Sequence, residues 1–165
     1  MAVRREGTLV QHSHLLFSLE RFLAVQPYYP CCILAHPDLR QLHEAAAIIR
    51  AHYDWPVLSL GAVLSEALRD VVPHQRAQTT HAVLCAALSP VAPGPLLCGE
   101  IDLLFEPSLQ LDPLRLLREV SRSATIIVLW PGTILAGTLA YAVPAHHHYR
   151  TWRSTDLMAE CVVSL

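Results

Sequence analysis

A chain of 165 residues with 53% hydrophobic and only 16% charged side chains can bury about two-thirds of its unfolded surface as one domain. It carries far fewer charges than the roughly 25% of a typical soluble domain. The net charge of −2, with no arginine block interleaved with aromatics, gives no support to direct nucleic-acid binding, and no apolar run approaches the ~18 residues that span a bilayer.

So small a charged fraction, with a mean hydropathy of +0.35, predicts a surface partly covered by a partner. The first residues, MAVRREGTLVQHSHLLF, hold two arginines but no long apolar core and no small-residue cleavage site. No secretory signal is expected, and the cytoplasm is the predicted compartment. The five cysteines (Cys31, Cys32, Cys85, Cys98 and Cys161) are odd in number, lie in apolar contexts and show no C-x-x-C spacing. Buried free thiols are the expectation.

In chain order, Leu9 to Val25 places Leu9, Leu15, Leu16, Leu19, Phe22 and Leu23 on one side of a helix, which Pro27 and Pro30 stop. Cys31 to Ala35 is a short apolar run between Pro30 and Pro37 and predicts a buried strand. Asp38 is placed to cap a helix from Leu39 to His52 with a Leu42, Ala45, Ala46, Ile49 stripe. A second strand is expected over Trp55 to Leu60, then helices over Ala62 to Val72 and about Gln75 to Leu88. Leu96 to Ile101 predicts a strand, Asp112 caps a helix over Pro113 to Ser121, and Thr125 to Trp130 predicts a strand ending at Pro131-Gly132. Leu139 to Val143 reads as another strand, and Leu157 to Val163 as a last strand or short helix. Strands alternating with helices, and strands apolar on both sides, predict a three-layer α/β domain with a mostly parallel sheet, P-loop NTPase-like in layout, over 1–165.

Ligands of open parallel sheets bind beyond the strands' carboxyl ends. The expected site is therefore where Ala35-His36-Pro37-Asp38, Gly99-Glu100-Ile101-Asp102 and Trp130-Pro131-Gly132 meet. A phosphate-binding loop needs a glycine-rich turn, a lysine and a hydroxyl. The corresponding segment, A-H-P-D-L-R-Q-L (35–42), has none of these, and all 12 basic residues of the chain are arginine. His36, Pro37, Asp38 and Arg40 therefore form a degenerate loop. The acidic strand end has Gly99 where a magnesium-binding Asp would stand, Glu100 where a general base would stand, and Asp102 two residues on. Arg115, Arg118 and Arg122 fall along one helix and are candidates for an arginine finger or for a solvated face paired with Glu119. His146-His147-His148 has no ligand-spaced partner, so no metal site is expected.

The stretch LLCGEIDLLFEPSLQLDPLRLLREVSRSATIIVLWPG followed by LAYAVPAHHHYRTW resembles the BrxF family of P-loop-containing proteins, components of type 3 BREX systems that defend bacteria against phage. The resemblance rests on Ile101 to Phe105, Asp112 to Leu117, Ser121-Arg122, Trp130 to Gly132 and Leu139 to Tyr149, and covers roughly residues 55–152. It implies a P-loop before the Gln41 region and an Asp on the strand before Ile101. This sequence departs from the family at both places.

Together these features predict a non-catalytic P-loop-like subunit of a defence system, acting in assembly or regulation. The expected partners are larger defence proteins or further copies of itself, with no cofactor. The alternative is an ATPase binding ATP and magnesium through an unusual phosphate site, with Glu100 as base and an arginine (Arg122 among the candidates) as electrostatic substitute. A nucleic-acid adaptor is a third reading, which predicts salt-sensitive DNA binding.

Overall fold

Two prolines, Pro27 and Pro30, end the first helix, α1 (Val3–Val25), and deliver the chain into the strand β1 (Cys31–His36). The computed structural model describes residues 3–153 and 161–165, with side chains from His12 onward. The next elements are α2 (Leu39–Tyr53), β2 (Val57–Ser59), α3 (Leu60–Ala67), α4 (Arg76–Leu88), β3 (Leu96–Gly99), α5 (Pro113–Ser121) and β4 (Ile126–Leu135). The chain then forms β5 (Thr138–Tyr141), β6 (Arg150–Arg153) and β7 (Val162–Ser164). Short 3-10 turns join α3 to α4, follow α4, and fill 102–109 between β3 and α5.

The main sheet has the order β2-β3-β4-β1-β7, and every pair in it is parallel. Parallel crossovers are almost always right-handed, so the direction of travel across the sheet decides which face a helix covers. From β1 the chain passes two strand positions to reach the β2 edge, with α2 on one face. It returns through β3 to β4 with α3, α4 and α5 on the opposite face.

The alternation along each strand follows these two layers. Cys31, Ile33, Ala35, Cys98, Val128 and Trp130 pack with α3, α4 and α5, while Cys32, Leu34, Leu97, Ile127 and Leu129 pack with Leu15, Leu19 and Phe22 of α1 and with Leu42, Ala45 and Ile49 of α2. The molecule is thus a three-layer α/β arrangement with a mostly parallel open sheet, as the sequence predicts.

Element boundaries differ from expectation in several places. β2 is three residues rather than six, because Ser59 already caps α3, its side chain accepting from the Ala62 N–H. α3 ends at Ala67, short of Val72. β4 does not stop at Trp130. It continues through Pro131 and Gly132 to Leu135 and folds back on β5 as an antiparallel hairpin, which β6 extends. Proline is tolerated there because the strand changes partners at that point. Up to Pro131 it lies beside β1, and from Gly132 it pairs with β5.

Gly132 is required by this exchange, since a Cβ at that position would lie 1.9 Å from the Ala140 carbonyl oxygen. Of the expected C-terminal element, 157–160 lie outside the described residues, and Val162–Ser164 forms an edge strand parallel to β1.

Candidate functional site at the carboxyl edge of the sheet

Three helices begin just beyond the carboxyl ends of parallel strands: α2 after β1, α3 after β2, and α5 after the turns that follow β3. Their free N–H groups make this edge a natural place for an anion. In each helix a side chain of the protein already fills that place.

Asp38 caps α2. Its carboxylate accepts from the Arg40 N–H at 2.9 Å, and the Arg40 guanidinium approaches at 3.4 Å. The Asp38 N–H donates to His36 Nδ1 at 2.9 Å, which closes the turn. The Arg40 backbone bond, more than the guanidinium, holds the Asp38 carboxyl below the usual carboxylate range. Ser59 caps α3 and donates its hydroxyl proton to the Glu100 carboxylate. Asp112 caps α5, accepting from the Arg115 N–H at 3.0 Å and from the Trp152 indole N–H at 3.2 Å.

Glu100 has a left-handed backbone (φ +53°), which turns it off the line of β3 and toward Ser59. The absence of a side chain at Gly61 permits this approach, since a Cβ there would lie 3.2 Å from the Glu100 carbonyl oxygen. Asp102 accepts from the Tyr141 hydroxyl at 2.7 Å. Burial first, and then this carboxylate, push the Tyr141 phenol well above its ordinary value. The Tyr141 ring stacks on Phe105 with an interplanar angle of 5°. The β4–β5 hairpin is thereby tied to the acidic strand end, a contact the sequence does not announce because residues 102 and 141 are so far apart in the chain.

The donor set does not fit a magnesium nucleotide. The turn after β1 has no lysine, and its helix N-terminus is taken by an aspartate. The strand-end position that would hold the metal's carboxylate is Gly99. Packing does not force glycine there, because a Cβ at Gly99 would meet only the Leu129 side chain at an ordinary 3.5 Å.

No family model, curated protein or solved structure matches this chain.

The arginines are divided between the two ends of the sheet. Arg115 lies at the start of α5, exposed and paired with Glu119 at 2.8 Å. Arg118 and Arg122 lie toward the far end of α5, where their guanidinium groups sit 4.8 and 5.0 Å from the ring centres of Tyr29 and Tyr28, just before β1. Arg118 and Arg122 are therefore at the amino end of the sheet, and the structure does not bring them to Glu100 and Asp102.

His146, His147 and His148 do reach the carboxyl edge. They line a shallow cavity of about 410 Å³ with Glu100, Asp102 and Glu106, and His148 Nε2 lies 3.7 Å from Glu106. Among the described residues no group of three His, Cys, Asp or Glu is arranged to hold a metal ion. Likewise, no described helix is long and apolar enough to cross a membrane.

A larger cavity of about 530 Å³ opens on the other side of the strand ends, between α2 and the β2 edge. Gly99, Glu100, Asp102 and Pro131 of the expected site line one end of it, and sequence reasoning misses only the wall made by α2 and β2. Its signal is nevertheless present in α2, where Leu39, Leu42, His43, Ala46, Ala47 and Arg50 form a second helical stripe beside the core-facing one. The two central alanines leave the space.

Proposed function

We propose that this protein is a non-hydrolysing, P-loop-like subunit that works through protein–protein contacts, as an assembly or regulatory component of an antiphage system of the BREX kind. The observation that carries the non-hydrolysing part is the self-capping of the carboxyl edge. Asp38 occupies the helix N-terminus on which a phosphate would rest, and its negative charge would repel one. The defence assignment rests on the sequence resemblance over 55–152, and the low charged fraction of 16% supports a covered surface.

Nucleotide titration decides the first part. A ligand that binds only the folded state raises the melting midpoint, so ATP with magnesium at millimolar concentration is expected to leave Tm unchanged. A concentration-dependent rise that Glu100→Gln abolishes would overturn this reading in favour of an ATPase using Glu100.

A further inference from the structure

We infer that a second copy of this chain occupies the groove between α2 and β2, giving a two-fold dimer built on the β2 edge. This deepens the assembly reading above, and rests on it, by naming the partner.

The groove is bounded by Leu39, Ala46 and Ala47 of α2 on one side and Val57 and Leu58 of β2 on the other. Leu39 and Val57 are 53% and 52% exposed, among the large apolar side chains left open to solvent. On this face α2 lies over β1 and β4, which leaves β2 without a covering helix. β2 is also an edge strand and, among the described residues, pairs only with β3. The Pro56 carbonyl accepts from the Leu97 N–H, so by strand alternation Val57 turns its own N–H and C=O outward. The strand is short and preceded by proline, which blunts indiscriminate pairing. A specific partner must therefore be recognised by the flanking groove as well.

Charge selects that partner. Arg50 stands in the last turn of α2, at the amino end of the groove, and has no ion-pair partner among the described residues. Glu100 and Asp102 line its carboxyl end. A surface positive at one end and negative at the other is complementary to itself under a two-fold axis. Antiparallel pairing of two β2 strands places Arg50 of each copy against the acidic end of the other, joins the outward backbone groups of Val57 to their counterparts, and covers Leu39 and Val57. A parallel arrangement of the same patches would set like charges together.

Sedimentation of the full chain across micromolar concentrations tests this. Wild type is expected to be dimeric. Arg50→Glu and Glu100→Arg are each expected to weaken the dimer by ~tenfold or more, because each places two like-charge pairs in the interface. An equimolar mixture of the two variants is expected to recover a dimer, since every pair is again opposite in sign, and R50E/E100R in one chain is expected to recover it too. Unchanged circular dichroism of the single variants excludes misfolding as the cause. A monomeric wild type, or a dimer that both single variants leave intact, overturns the inference. Such a result would leave assembly with a different protein standing, whereas the nucleotide titration tests the non-hydrolysing reading separately.

Discussion

At Asp38 one carboxylate answers the helix N-terminus that follows β1. A helix N-terminus carries about half a positive charge and unpaired N–H groups, and in this chain both are answered from within. The same bond makes the residue a pH sensor for stability. Because hydrogen bonding lowers the Asp38 pKa in the folded state, its stabilisation is fully present above the ordinary carboxylate value of about 3.9. It is lost as pH falls through that value toward the lowered native one. Asn caps helices about as well as Asp but does not titrate. Asp38→Asn is therefore expected to lose less stability than wild type on going from pH ~5 to ~2, measured by urea unfolding at each pH. Parallel losses in the two proteins would show that Asp38 is not a source of acid lability.

Among the elements, the β4–β5 hairpin shows where legibility in the sequence ended. The core strands, α2 and α5 follow from apolar runs bounded by Pro, Asp and Gly, and both Asp38 and Asp112 cap as expected, because such signals are local. Pro131-Gly132 is a local signal too, but it marks a change of strand partner rather than an end. That partner, β5, is fixed by the Trp130 indole N–H donating to the Ala140 carbonyl at 2.8 Å and by the contact of Gly132 with the same oxygen. Nothing within a few residues of Gly132 reports either contact. The division of the arginines was hidden for the same reason, since α5 runs along one face of the sheet from its carboxyl to its amino edge and its two ends face opposite edges. Two glycines give opposite expectations. Gly132→Ala drives a methyl group into backbone and is expected to cost about 3 kcal/mol. Gly99→Ala makes only ordinary contact and restricts the unfolded chain, so its effect is expected between neutral and about 1 kcal/mol stabilising. Urea midpoints of the two variants measure this, and equal losses at both positions would contradict the geometry of the partner exchange.

For the molecule as a whole, the consequence of covering the parallel sheet on both faces is that its centre is sealed from either side. Cysteines report this sealing on each face. Cys31 and Cys98 lie in the core under α3, α4 and α5, Cys32 lies in the core under α1 and α2, and Cys85 is half-buried on α4 with its sulfur 3.8 Å from His81 Nδ1. Burial raises the thiol pKa of Cys31 and Cys32 well above the ordinary value and pushes Cys98 up to about 12, so none of the three offers thiolate or access to a reagent. In the native protein an aromatic disulfide reagent is therefore expected to modify Cys85 in a fast phase that Cys85→Ser removes. Cys31, Cys32 and Cys98 are expected to react only at the rate at which the sheet opens, and all five thiols to react at once in denaturant. Fast labelling of Cys32 alone, with Cys31 and Cys98 still protected, would mean that the α1–α2 layer opens independently of the rest. Fast labelling of all three would mean that neither layer holds the sheet closed. If the sheet opens as one unit, the three slow thiols share one rate.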